Sequence, residues 1–151
     1  MILLAFGIGI VAGSRTMLAP AAIAWAAATR GLALDGSWLA FFGWRFTPWI
    51  VSMLALGEFV GDVLPTTPSR KQPGPFGARL VSGGVSGAAI GIGAAMPLAG
   101  LALGMVGAVI GTLGGAALRL GLASRFGRDL PAALLEDAIA LAAATYVVLA
   151  L

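Results

Sequence analysis

The chain has 151 residues, of which 60% are hydrophobic and 10% are charged, and its mean hydropathy is +1.01. Soluble domains carry about 25% charged residues, so this composition excludes an ordinary soluble domain and predicts an integral membrane protein. The chain lacks cysteine and histidine, which excludes disulfides, thiolate chemistry and the commonest metal ligand. Its net charge of +3 comes from basic residues spread between apolar stretches, which fits lipid headgroups as partners and argues against nucleic acid.

The first apolar segment runs from Met1 to Thr29 and is interrupted in its middle by Gly13 to Thr16, with Pro20 one turn later. It lacks the basic start and cleavage site of a secretory signal, so we expect it to be retained. Glycine, a charged residue and a proline at mid-segment predict a broken helix. This segment therefore either crosses the membrane once or is re-entrant, dipping in and returning.

The next stretch, Arg30 to Arg45, is rich in aromatic residues and is predicted to lie at headgroup depth. A second span is predicted from about Phe46 to Leu64, closed by a loop that contains four prolines, at 65, 68, 73 and 75.

Three further spans follow, from about Ala78 to Met96, from Leu101 to Leu120 after a tight turn at 97–100, and from Pro131 to Leu151. The sequence thus predicts a single domain over residues 1–151, an all-α compact bundle of about five transmembrane helices.

Basic residues are concentrated in the segments after the second and fourth spans, which the positive-inside bias places in the cytoplasm. Aromatic anchors fall near the other face: Trp25, Trp38, Trp44, Trp49 and Tyr146. We expect a multi-pass protein of the bacterial inner membrane with a periplasmic C-terminus. The N-terminus is cytoplasmic if there are five spans and periplasmic if the first segment returns. This asymmetry favours a parallel homo-oligomer, with a dimer as the simplest form.

The chain contains 23 glycines, and many are spaced four residues apart within the predicted spans. Such stripes let helix backbones approach closely. The third and fourth spans carry one stripe each, and because a short turn joins these spans we expect the stripes to pack against each other: Gly83, Gly87 and Gly91 on one, Gly107, Gly111 and Gly115 on the other. Ser82, Ser86 and Thr112 are expected to add interhelical hydrogen bonds.

Ionisable residues within apolar spans are costly and indicate a functional site. Six of them are predicted to meet in the cytoplasmic half of the bundle, as candidates for binding an ion or polar substrate: Arg15, Glu58, Asp62, Arg79, Glu136 and Asp137. We expect Glu58 to be the deepest acid, and Asp62 and Asp137 to reach the interface. Four acids against two or three arginines leave at least one carboxylate without an obvious partner. The alternative is a network of ion pairs that only holds helices together.

Four strings carry a resemblance to a known family: GSRTMLAPA from Gly13, GEFVGDVLPTTPSR from Gly57, GARLVSGG from Gly77 and LEDAIA from Leu135. Together they resemble the bacterial membrane proteins grouped as domain of unknown function 4126. That resemblance implies a helical membrane protein and supplies no catalytic residue. It singles out the same charged residues, together with Arg70 in the proline loop, where this chain has TPSR in place of further acidic residues.

Three function classes follow from these residues. The favoured one is a small transporter or channel for a cation or a proton-coupled polar solute, with Glu58 as the exchanging carboxylate and no cofactor. The second is a structural or assembly protein. The third is an enzyme on a lipid or polyprenyl phosphate, in which Asp62 or Glu58 would hold a divalent ion and Arg70, Lys71 and Arg79 the phosphate. The sequence favours a non-enzyme and does not identify a metal.

Overall fold

The structure, a computed structural model, describes residues 1–61, 72–127 and 129–151. Within these ranges the chain forms six α-helices and one 3-10 turn, which confirms the all-helical prediction for the described residues. The elements are α1 (Ile2–Ser14), α2 (Leu18–Thr29), the 3-10 turn (Ala40–Gly43), α3 (Thr47–Gly61), α4 (Pro73–Gly93), α5 (Pro97–Phe126) and α6 (Asp129–Ala150).

Prolines set the starts of two helices. Pro73 and Pro97 are the first residues of α4 and α5, where the missing proline N–H would have had no partner in the helix. The predictions that residues 73 and 75 belong to a loop and that the turn covers 97–100 are therefore wrong. The turn lies at 94–96, where Ala95 adopts a φ of 56°. Arg125 lies in the last turn of α5, which ends at Phe126, and the residue that caps this helix, Gly127, has a φ of 66°.

The first two helices form an antiparallel hairpin. Along α1, Gly7 contacts Val147 and Arg15 contacts Asp137, so α1 runs opposite to α6. Along α2, Arg30 donates to the carbonyls of Val148 and Leu149, so α2 runs in the same direction as α6. The first segment therefore enters the bundle and returns.

Met1 and Leu32 accordingly lie at the same end of the bundle, since the side chains of both contact Gly93. We call this end, which also holds Leu149, the terminal face. Of the two arrangements that the sequence left open for the first segment, the chain reversal between α1 and α2 is that of a segment that enters and returns. The 3-10 turn also packs here: Leu39 and Phe42 are buried, while Trp38 and Trp44 are exposed.

Glycine lets α1, α4 and α5 meet backbone to backbone. A methyl group on Gly104 of α5 would lie 2.9 Å from the carbonyl carbon of Gly83 and 3.0 Å from Cα of Gly87, both on α4. On the α1 side, a methyl group on Gly9 would lie 3.0 Å from Cα of Gly104. Gly104 is therefore in contact with two helices at once.

The two predicted glycine stripes do not face each other, which corrects the expected pairing. The stripe of α4, which includes Gly91, packs against Gly100, Gly104 and Ala108 of α5. Gly107 and Gly111 instead face α1, where they contact Phe6, Gly9 and Ile10, and Gly115 lies one turn further along and is half-buried. The reason is that the α1 hairpin occupies a second side of α5, so α5 needs two small-residue faces.

Gly104→Ala tests this packing. The added methyl group would meet backbone atoms, which cannot rotate away, so we expect a loss of at least 1–3 kcal/mol, about the cost of overpacking a core. Gly114→Ala is the matched control, because Gly114 has no atom within 4 Å of the added group and alanine favours the helix. Thermal unfolding in detergent should show a lower midpoint for Gly104→Ala alone. Equal midpoints would contradict the close contact.

Candidate functional site

Between α1 and α2 the helix is interrupted at the centre of the bundle, although the chain continues. Arg15 is extended, with φ −137° and ψ 108°, and α2 begins at Leu18. We call Arg15, Thr16 and Met17 the hairpin tip. The tip lies level with Thr112, near the middle of α5, because Thr112 Oγ1 donates to the carbonyl of Gly13 at 3.2 Å. A break at this depth leaves backbone N–H and C=O groups that need partners.

Glu58 of α3 supplies the partner for two of these backbone donors. The N–H of Thr16 donates to its Oε1 at 2.7 Å, and the N–H of Met17 donates to its Oε2 at 2.8 Å. Each carboxylate oxygen thus accepts one bond at the start of α2, where the helix dipole also favours a negative charge. Glu58 is half-buried, and its carboxylate points into the bundle at the tip.

Side chains of α4 and α5 donate hydrogen bonds to the carbonyls at the interruption. Ser82 Oγ donates to the carbonyl of Thr16, and Thr112 Oγ1 donates both to Gly13 and to Ala108 of its own helix. Arg79 is buried, and its Nε donates to Thr16 Oγ1 at 3.4 Å. Hydroxyl groups on α4 and α5 therefore anchor the tip from the side opposite α3.

Arg15 carries its charge into the core and pairs there with Asp137 of α6. Its Nε lies 2.7 Å from Asp137 Oδ1, and its Nη2 contacts the same oxygen. The Arg15 side chain is 1% exposed and that of Asp137 is 17% exposed. The guanidinium also lies 5.2 Å from the ring centroid of Phe59, a cation–π contact. Asp137 is thus paired inside the bundle, and the expectation that it reaches the membrane interface stays a prediction.

Glu136 precedes Asp137 on α6 and is 2% exposed, on a buried face that includes Ala132, Ala133 and Ala140. It has an interaction partner, as do Arg79 and Arg119. Glu58, Glu136 and Asp137 each have a partner, and the expectation that one of the four carboxylates lacks one stays a prediction. Asp62, Arg70 and Lys71 lie outside the described residues.

The structure thus brings Arg15, Glu58 and Asp137 directly to the hairpin tip, with Arg79 on its far side. Sequence reasoning missed two partners, namely the backbone N–H groups of the tip and the ring of Phe59. A broken helix implies free backbone N–H groups, so the first could have been expected at Thr16 and Met17. The contact of Phe59 with Arg15 depends on the long-range packing of α3, which the sequence pattern does not show.

The cluster can hold or exchange a proton or a small cation at a carboxylate, because carboxylate oxygens are ligands for hard cations. Among the described residues, three or more carboxylates do not come together in a group suited to a resident metal ion. Of the cluster's three described carboxylates, Glu58 accepts bonds from N–H groups of the hairpin tip and Asp137 accepts bonds from Arg15.

A search of protein families, curated proteins and solved structures found no match to this chain. The resemblance noted from the sequence strings stays a prediction.

A double-mutant cycle at Arg15 and Asp137 tests the buried ion pair. Breaking such a pair leaves a buried charge and costs about 3–5 kcal/mol, so Arg15→Gln and Asp137→Asn should each lower the unfolding midpoint markedly. The double variant should be less destabilised than the two losses combined, with a coupling of about 0.5–3 kcal/mol.

Arg45→Gln is the control for that cycle, because Arg45 is exposed and its guanidinium lies over the ring of Phe46, away from the Arg15–Asp137 pair. The variant that combines Arg45→Gln with Asp137→Asn should have the same unfolding midpoint as Asp137→Asn alone. Additive losses at Arg15 and Asp137 would contradict the pairing.

Proposed function

We propose that this chain is an integral membrane protein in which α3 to α6 cross the bilayer and the hairpin of α1 and α2 is re-entrant. Residues 97–125 of α5 and 130–150 of α6 have the length and hydropathy of membrane-spanning helices, and only 28% and 33% of their most apolar windows are buried within the bundle. Large apolar side chains face outward on several helices, as at Leu3, Met53, Leu98 and Leu120. An apolar exterior of this kind fits lipid.

The lengths of α1 and α2 support the re-entrant arrangement. They have 13 and 12 residues, or about 20 and 18 Å at 1.5 Å per residue, and the chain reverses between them, so neither crosses a hydrocarbon core of about 30 Å. α3 is also short, with 15 residues, but the helix that follows it, α4, begins at the opposite end of the bundle and returns to the terminal face at Gly93. We further propose the bacterial inner membrane, with the terminal face in the periplasm. Exposed aromatic residues, including Trp38 and Trp44, place that face at an interface. The opposite end holds basic residues such as Arg125 in the last turn of α5, and the positive-inside bias assigns such an end to the cytoplasm.

We propose that the protein is a transporter or channel for a small cation or a proton-coupled polar solute. The observation that carries this proposal is the carboxylate of Glu58, held by two backbone N–H groups of a broken helix at the middle of the bundle. Carriers commonly place half-helix ends and intramembrane charges at the midplane, where they bind ions and substrates.

Glu58 is the proposed exchanging group because it joins α3 to the hairpin. A proton or cation that binds the carboxylate offsets its negative charge and weakens the bonds from the N–H groups of Thr16 and Met17, so binding at Glu58 would loosen the hairpin tip. A second polar contact between α3 and the hairpin lies further toward the terminal face, where Trp25 Nε1 donates to Ser52 Oγ at 3.0 Å. Hence α3 could tilt about that contact while the glycine-packed helices α1, α4 and α5 stay fixed. Arg15 and Arg79 serve as internal counter-ions, with Glu136 assisting.

A structural role is the second candidate, and one observation favours it. Arg15 is matched by Asp137 and the carboxylate of Glu58 by two N–H groups, so these charges satisfy one another without a ligand. In that case the cluster only fixes the hairpin, and the protein acts through assembly, for which we propose a parallel homodimer.

Proteoliposomes that contain a pH-sensitive dye distinguish the two candidates. Under an imposed gradient of Na⁺, K⁺ or protons, the wild-type protein should change the internal pH faster than empty liposomes. Glu58→Gln should abolish this difference, because an amide neither titrates nor binds a cation as a carboxylate does. A folded wild-type protein that behaves like empty liposomes under all three gradients would contradict transport of these cations and favour the structural role.

Two matched variants make the test specific to the charge of Glu58. Ser82→Ala removes a neutral hydrogen bond to the same tip and should retain most of the flux. If Ser82→Ala loses as much flux as Glu58→Gln, the effect of Glu58→Gln is purely structural. Asp35→Asn changes an exposed carboxylate in the loop after α2 and should leave the flux unchanged. Size-exclusion chromatography of each variant checks folding.

A further inference from the structure

An apolar groove of about 400 Å³ lies between α2, α3 and α6. It is open because the three helices present alanine there, at Ala22, Ala55 and Ala144 among others, so little side-chain volume fills the space between them. We call this space the α2–α3–α6 groove. Its inner end is closed by Phe59, the residue that lies over Arg15, and Trp25 and Val148 line its outer part. The volume is within the range of about 300–1,000 Å³ found for ligand pockets.

The lining of this groove is almost entirely apolar. Its lining residues carry no charge, and its two hydroxyls are each partly engaged: Ser52 Oγ accepts from Trp25 Nε1, and Thr145 Oγ1 donates to the carbonyl of Leu141 at 2.8 Å. A polar occupant would therefore lose most of its bonds to water.

A cation lies at the outer end of the groove. Arg30 is exposed, and its guanidinium donates to the carbonyls of Val148 at 3.3 Å and Leu149 at 2.9 Å. An arginine has five N–H donors, so these two bonds leave three for an anion. Val148 contributes both its side chain to the groove and its carbonyl to Arg30, which fixes the cation next to the apolar lining.

We infer that the groove binds one phospholipid of the surrounding membrane, with an anionic headgroup at Arg30 and part of one acyl chain between α3 and α6. The apolar lining matches the chain and the guanidinium matches the phosphate. From Trp25 to Leu18 the groove extends about 10 Å along α2, so it holds the part of the chain closest to the headgroup. A helix of a second protein copy, about 10 Å in diameter, is too wide for this volume. The inference rests on the proposed membrane location and not on transport.

Native mass spectrometry of the full chain in detergent tests the headgroup contact, with phosphatidylglycerol and phosphatidylcholine as probes. Wild-type protein should retain one phosphatidylglycerol in preference to phosphatidylcholine. Arg30→Gln should weaken phosphatidylglycerol binding about fivefold, the effect expected of one basic residue near a lipid headgroup. Arg45→Gln, at another exposed arginine of the same face, should leave it unchanged. Equal binding of both lipids, or an equal effect of the two arginine variants, would overturn the inference.

A second pair of variants tests the chain contact. Ala144→Phe fills the groove and should reduce binding of phosphatidylglycerol, whereas Ala138→Phe, at an exposed position of the same helix, should not. Equal binding by folded Ala144→Phe and wild type would place the chain elsewhere and overturn the inference. The flux assay separates this inference from the proposed function. Lipid binding without flux would contradict transport but not the lipid site, and flux without lipid selectivity would contradict the lipid site but not transport.

Discussion

The structure depends on hydrogen-bond partners for the backbone groups that are left free where the helix is interrupted at the centre of an apolar bundle. Between α1 and α2 the chain reverses direction, and the freed N–H groups of Thr16 and Met17 would be costly if left without acceptors. Glu58 supplies both acceptors at once. Its position in turn requires α3 to pack beside the hairpin, and the charge of Arg15 requires Asp137 on α6. One reversal of the chain thus determines which helices carry the charged residues and where they lie.

Close packing of the remaining helices makes that reversal possible. The hairpin enters the bundle because α1 lies directly on α5, where glycine replaces side chains on both helices. α4 uses a second face of α5 in the same way, and Gly104 contacts both neighbours. The outer helices differ: α2, α3 and α6 meet through alanine and leave a groove. The rigid half of the bundle therefore holds the tip, and the less tightly packed half holds Glu58 and the proposed lipid site.

The sequence predicted the local features and missed how they combine. A charge, glycines and a proline near Arg15 correctly indicated a broken helix. The partners of the charged and small residues could not be predicted, because they depend on which helices become neighbours: nothing in the sequence of α6 shows that Asp137 pairs with Arg15, and the stripe of Gly107 and Gly111 was assigned to α4 although it faces α1. Periodicity identifies a small face on a helix but does not identify the helix that covers it.

The most direct test of the re-entrant hairpin is the sidedness of single cysteines in sealed membrane vesicles, since the chain has no cysteine of its own. Leu3→Cys and Leu151→Cys mark the two termini, and Gln72→Cys marks the start of α4 at the opposite end. A membrane-impermeant maleimide should label Leu3→Cys and Leu151→Cys from the same side and Gln72→Cys from the other. Labelling of Leu3→Cys together with Gln72→Cys would show that the first segment crosses the membrane, and would contradict the hairpin.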